Sequence, residues 1–295
     1  MEEMLFHVGG VVAPVLLCVL VGYGLAALKL PFDHKVSGAL VANVGYPALV
    51  LAHLTEQHVP LGAFLEMMLA ALVAVASFGL IALGLLALLS LPIRAFLSPM
   101  MLNNVGAIGL PICMLAFGDE GLAYAMAFVV VTLVGSFTIG TWLPMGRVAL
   151  HDVLRKPVIY AALLAIAFMA TDTRLPTPID HTLGILGGLA IPLMLLTLGH
   201  TLASLSAGVL WRGGYLALLH LAMAAGVAFG VVQLFGLQGA ARGVFILQCV
   251  MPVSVTAYLW IEMYDAKDAP GVASFILFST VLAVAVLPLV LTFWV

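Results

Sequence analysis

Apolar residues in this chain come in runs of about 20, the length that an α-helix needs to cross a bilayer core. Ten such runs can be marked, at 7–28, 36–55, 61–89, 96–117, 121–143, 157–171, 182–203, 213–235, 242–262 and 271–294. The runs are continuous rather than alternating, which favours helices over a membrane β-barrel. Charged residues make up only 8% of the chain, against roughly 25% in a soluble domain. The expectation is an all-α integral membrane protein with ten transmembrane helices and the lipid bilayer as its surroundings. The N-terminus, Met1-Glu2-Glu3, is acidic where a cleaved signal would be basic. The first run is therefore expected to be retained as a helix.

The punctuation between runs is short, and none of it is large enough to form a soluble domain. The longest polar connection, 146–156, falls at the midpoint and carries Arg147, His151, Asp152, Arg155 and Lys156. It divides the chain into a first five-helix unit (1–145) and a second (157–295). With ten spans, one face receives Lys29, Lys35, Arg94, Arg147, Arg155, Lys156, Arg212 and Lys267, and the other only Arg174 and Arg242. The positive-inside rule makes the first face cytoplasmic. Both termini are then outside the cytoplasm. The scattered basic residues form no nucleic-acid footprint.

One run resists reading as a plain lipid-facing helix. Met101–Gly118 contains Asn103, Asn104, Gly106, Gly109 and Pro111. Amides are costly in hydrocarbon unless paired, and proline removes a backbone donor. Irregular backbone at membrane depth is tolerated where protein or a polar cavity covers it. A similar segment, Gln248-Cys-Val-Met-Pro252-Val-Ser254-Val-Thr256, appears in the second half. Likewise, Asn43-Val-Gly-Tyr-Pro47 in the second run resembles Gly188-Leu-Ala-Ile-Pro192 in the seventh. Five spans per half is an odd number, so the halves would have inverted topology. In such folds, paired interrupted segments point to a site near the midplane.

The expected breaks are at Pro111 and Pro252, with helix N-termini facing an anion. Unwound carbonyls around 106–110 and 248–251 would hold a cation or substrate donors. Asn103, Asn104, Gln248, Ser254 and Thr256 would supply neutral hydrogen bonds, with Gly109 allowing close backbone approach. Asn43, Pro47 and Pro192 complete the candidate substrate-binding set.

Other chemistry finds little support. No Asp or Glu lies mid-span, against an aspartate proton relay. Cys18, Cys113 and Cys249 lack metal-type spacing and read as apolar fillers. Gly22-Tyr-Gly-Leu-Ala-Ala27 matches a dinucleotide fingerprint but lies in a membrane span without βαβ context. His53, His200 and His220 read first as interfacial or hydrogen-bonded residues, with a role in proton movement left open. No hydrolase, zinc-protease or P-loop motif is present, so no catalytic residue or resident cofactor is expected.

Six segments in order resemble the auxin efflux carrier family, which includes plant auxin exporters and bacterial organic-acid transporters. They are Asn-Asn-Val-Gly-Ala-Ile-Gly-Leu-Pro-Ile (103–112), Phe-Gly-Asp-Glu-Gly-Leu (117–122), Arg-Lys-Pro-Val-Ile (155–159), Ala-Ile-Pro-Leu-Met-Leu-Leu-Thr-Leu-Gly (190–199), Leu-Gln-Cys-Val-Met-Pro-Val-Ser-Val (247–255) and Phe-Ser-Thr-Val-Leu (278–282). The resemblance implies a five-plus-five inverted fold like that of sodium/proton antiporters and bile-acid symporters. Spans four and nine would be broken crossover helices in a mobile bundle. Spans one, two, six and seven would form the scaffold and the side of a homodimer. Relatives often carry an asparagine after the second crossover proline, where this chain has Thr256. The implied activity is alternating-access transport of a small carboxylate, such as malonate or malate, across a bacterial inner membrane. The alternative is a sodium-coupled symporter or cation exchanger, and the coupling ion, Na+ or H+, stays open.

Overall fold

The structure, a computed structural model, describes residues 2–55, 59–146, 154–204, 210–264 and 267–293. Met1, Glu56, Arg147, His151, Asp152, Asp265, Trp294 and Val295 lie outside the described residues. So do the side chains of Lys35 and Trp260.

The described elements are helices. In order they are α1 (Glu2–Ala27), α2 (His34–Leu40), a π-helical turn (Val41–Gly45), α3 (Tyr46–Thr55), α4 (Leu61–Leu88), α5 (Ile93–Met101), a second π-helical turn (Val105–Gly109) and α6 (Leu110–Met145). Then come α7 (Pro157–Thr171), α8 (Thr177–Gly188), α9 (Ala190–Ser204), α10 (Leu210–Phe235), α11 (Gly239–Val250), α12 (Val255–Tyr264) and α13 (Ala269–Phe293). Among the described residues there is no strand, only one isolated β-bridge between Asn103 and Val253.

Among the described residues, seven helical segments are long and apolar enough to cross a membrane, and Pro157–Thr171 and Gly239–Val250 are shorter apolar helices. The difference from the ten expected runs has local causes. The run at 96–117 is interrupted after α5, and that at 242–262 is interrupted between α11 and α12. The next run is fused to its predecessor in the 40-residue segment Val105–Pro144. At 1.5 Å per residue this would be about 60 Å long, twice the bilayer core of about 30 Å. It turns at Gly118, with φ 63° and ψ −148°, in a region of backbone space that glycine alone adopts without strain.

Both π-helical turns have a specific cause in the sequence. Each lies just ahead of a proline, in Gly45-Tyr-Pro47 and Gly109-Leu-Pro111. A proline ring clashes with the carbonyl four residues earlier and leaves it without an N–H donor. The wider π turn takes up that clash, so the chain stays helical through both prolines.

The helices pack as two groups. In the first, α1 packs along α9, and α3 packs on α7 and α8. In the second, α10 pairs with α13, α4 packs on α5, α6 and α10, and α11 packs on α6 and α10. Contacts between the groups are sparser. The α1–α9 seam is close: a side chain at Gly22 would meet the backbone of Leu196, and one at Gly199 the backbone of Val19. Small residues at a membrane helix seam allow this approach. It explains Gly22 of the dinucleotide-like motif as packing. A cavity of about 770 Å³ lies between the groups, with Met194 and Thr197 on one side and Asn104 and Thr256 on the other.

Candidate functional site

The two interruptions meet each other. Helix α5 ends at Met101, and Leu102 is extended, with φ −118° and ψ 104°. Helix α11 ends at Val250, and Met251 is extended, with φ −60° and ψ 147°. The Asn104 N–H donates to the Pro252 carbonyl at 2.7 Å, and the Ser254 N–H donates to the Leu102 carbonyl at 3.1 Å. Asn103 and Val253 face each other as an antiparallel pair. All six residues of this crossing are buried. Extended backbone buried at this depth needs partners for its N–H and C=O groups, and each interruption supplies them to the other. Pro252 lacks an N–H, so its contribution is its carbonyl.

The first break therefore lies at Leu102–Asn104 rather than at Pro111. Gly109 is helical, with φ −65° and ψ −45°, and Pro111 occupies the first turn of α6. The carbonyls at 106–110, expected to be unwound, are instead helical, in the π turn and the first residue of α6. In the second half, Gln248–Val250 close α11, and the break begins at Met251. Pro252 lies between α11 and α12.

The paired asparagines are oriented differently. The Asn103 side-chain amide donates to the Cys249 carbonyl at 2.6 Å and to the Gln248 carbonyl at 3.2 Å. Its oxygen lies 3.0 Å from His220 Nε2. Asn103 thus ties one arm of the crossing to the other. Asn104 instead lines the cavity, and no described residue takes its side chain as a hydrogen-bond partner. On the other arm, the Val253 N–H donates to Ser279 Oγ at 3.2 Å. Ser254 Oγ accepts from the Thr256 N–H at 3.3 Å and so caps α12. Thr256 is open to the cavity.

The remaining candidates take other positions. Gln248 is fully buried, and both of its side-chain polar atoms lack a hydrogen-bond partner. Its amide lies against Gly109, where an added Cβ would collide with it. Asn43 is exposed, and its amide bonds to the Ala39 carbonyl within its own helix at 2.8 Å. Pro47 is half-buried near the start of α3, and Pro192 is exposed near the start of α9. Neither lines the cavity, although their neighbours Tyr46 and Met194 do. Sequence reading did not single out Tyr46, Ser136, Thr197 or Thr201 as lining residues. Thr197 lies in the 190–199 segment, five residues after Pro192, and this spacing is the only signal that could have pointed to it.

The cavity is chiefly apolar, with a few polar groups among its lining residues. Lys156 and Glu262 also line it, and Tyr258 donates a hydrogen bond to Glu262 at 2.8 Å. At the crossing, Asn104 and Ala107 belong to the start of the helical segment that leads into α6, and Val255 and Thr256 to the start of α12. First-turn N–H groups lack intrahelical acceptors. Two helix starts thus face one cavity, with neutral hydroxyl and amide groups around them. Among the described residues, no group of three or more His, Cys, Asp or Glu side chains is placed to hold a metal ion.

These features define a polytopic, all-helical membrane protein with an internal cavity beside paired helix interruptions. Residues 141–291, just over half of the chain, match the family described as membrane transport protein. The chain belongs to this family, the auxin efflux carriers. It is 25% identical over 200 residues to an uncharacterized transporter of Methanocaldococcus jannaschii, covering 64% of each chain. It is 29% identical over 198 residues to an uncharacterized transporter of Methanothermobacter thermautotrophicus, covering 63% of each. The matched segments thus span somewhat less than two thirds of these relatives.

The two asparagines should separate on substitution. Asn103→Leu orphans two buried carbonyls and the His220 ring nitrogen, at about 1–3 kcal/mol for each lost partner. Its melting temperature should fall clearly. Asn104→Leu should change stability by only about 0.5 kcal/mol while removing a cavity-lining amide. Thermal unfolding of both variants in detergent checks this, and equal melting temperatures would contradict the division of roles.

Proposed function

We propose that this protein is a secondary active transporter of a small organic anion, a carboxylate such as malonate or malate, that works by alternating access. The observation that carries the reading is the pair of helix starts, at Asn104 and Ser254, turned toward one cavity between two helix groups. Each turns the positive end of its helix dipole toward the cavity, which favours a carboxylate without requiring a buried cation. Asn104 and Thr256 add neutral hydrogen bonds at the same place. Lys156, which also lines the cavity, attracts the anion to it.

In this reading the chain is a ten-helix, five-plus-five inverted repeat, with units 1–145 and 157–295 joined by 146–156. The local pairing supports it: Leu102, Asn103 and Asn104 correspond to Pro252, Val253 and Ser254 about an antiparallel bridge. The group containing α1, α3 and α9 is the scaffold and homodimer side. The group containing α4, α6 and α10–α13 is the moving bundle. The protein sits in a bacterial inner membrane with both termini outside the cytoplasm. Lys156 and Glu262 then lie on the cytoplasmic side of the cavity.

One observation favours a second reading, a sodium-coupled symporter or cation exchanger. The buried Gln248 amide has an oxygen with no protein partner, and amide and carbonyl oxygens are ligands for hard cations. Uptake of labelled malonate or malate into proteoliposomes tests both readings. Flux independent of sodium supports the first, and sodium-dependent flux supports the second. No carboxylate flux under any pH, sodium or voltage gradient removes the anion assignment. A cytoplasm-dependent reporter fused to Val295 should be inactive, and an active one contradicts the proposed orientation.

A further inference from the structure

His220 lies on α10, 3% exposed and away from the cavity lining. Its imidazole stacks on Phe78 of α4, with centroids 6.0 Å apart and planes 20° apart. It meets Phe275 of α13 edge-on at 5.8 Å and 79°. Its Nε2 lies 3.0 Å from the Asn103 side-chain oxygen. A histidine whose only work was to fill space between two phenylalanines would gain nothing over a third phenylalanine. Burying its polar ring has a cost that a hydrogen bond must offset.

The network can be wired in one way only. The Asn103 amide nitrogen is committed to the carbonyls of Gln248 and Cys249. Both are acceptors, so the amide group must be the donor there, and the amide oxygen must face His220. That oxygen can only accept, so Nε2 carries the proton. Turning the Asn103 amide over would set its oxygen against two carbonyls. Moving the proton to Nδ1 would set a bare nitrogen against the amide oxygen. Each alternative places acceptors against acceptors, so the histidine and the asparagine fix one another.

We propose that His220 is a positioning residue for transport, acting through Asn103. It holds the crossing in register and so keeps the starts of both cavity-facing helices aimed at the substrate. The path is short. Asn103 adjoins Asn104, whose N–H bonds to Pro252 and whose side chain lines the cavity. On the other arm, the Gln248 and Cys249 carbonyls held by Asn103 belong to the last turn before the second break. Because Phe78 and Phe275 hold the ring, the register of the crossing is tied to three helices of one packing group, α4, α10 and α13. The proposal rests on the anion-transport reading for its effect on substrate, while its effect on the crossing itself does not.

The test uses the full chain in lipid nanodiscs and proteoliposomes. Glutamine places its Nε2 as many bonds from Cβ as histidine does, whereas asparagine is one bond shorter and phenylalanine has no donor. His220→Gln should keep the apparent KM for malonate or malate within about twofold of the parent. His220→Phe and His220→Asn should raise it about tenfold, the loss of one positioning hydrogen bond. The amides of Asn104 and Ser254 should exchange hydrogen about tenfold faster in both, with α1 and α9 unchanged. If His220→Phe does not fold, His220→Asn, which retains a polar side chain, carries the same comparison. Equal KM and exchange rates in His220→Gln and His220→Asn would overturn the proposal, leaving a packing role. If the parent moves no carboxylate, the anion reading fails, and the exchange rates still decide the role of His220.

Discussion

Everything near the centre of this protein follows from backbone that leaves the helix among buried residues. An unpaired N–H or C=O in that setting costs several kcal/mol, so a lone interruption at this depth would not persist. Here two interruptions share the cost by pairing, Asn104 to Pro252 and Ser254 to Leu102. Neither break is stable without the other, and the pairing fixes where the two following helices begin. The polar residues nearby then divide into those that secure the pairing and those left facing the cavity. Asn103, Ser254, Ser279 and His220 belong to the first kind, and Asn104 and Thr256 to the second.

This division is what the sequence concealed. Asn103 and Asn104 are adjacent and chemically identical, and nothing in the residue string says that one amide will turn toward Cys249 and the other toward the cavity. Their orientation depends on a partner 146 residues away. The class of fold was legible, because long apolar runs with few charges admit little else. The existence of two interruptions was legible too, from amides and prolines where lipid-facing helices do not carry them.

The position of the first break was not legible, and the reason is local. Proline is the strongest breaker in the Met101–Gly118 stretch, so the break was expected at Pro111. The π turn at Val105–Gly109 absorbs that proline, and the chain opens instead just after α5, which carries Pro99 near its end. The same device absorbs Pro47. A sequence pattern records that a proline is present but not whether a wider turn precedes it. In the second half no such turn intervenes, and Pro252 lies in the break itself. The fusion of two expected runs through Gly118 is a similar case, since glycine permits a turn without announcing one.

The central claim is that the starts of two helices, one from each half, bind the same anion in the cavity between the helix groups. Single cysteines at Ala107 and Thr256, one on each arm, test it most directly. The measurement is their rate of reaction with a polar thiol reagent, with and without malonate or malate. The account predicts that the carboxylate slows labelling at both positions together, while a cysteine at exposed Asn43 reacts at the same rate throughout. Protection at one arm alone, or at neither, would contradict it.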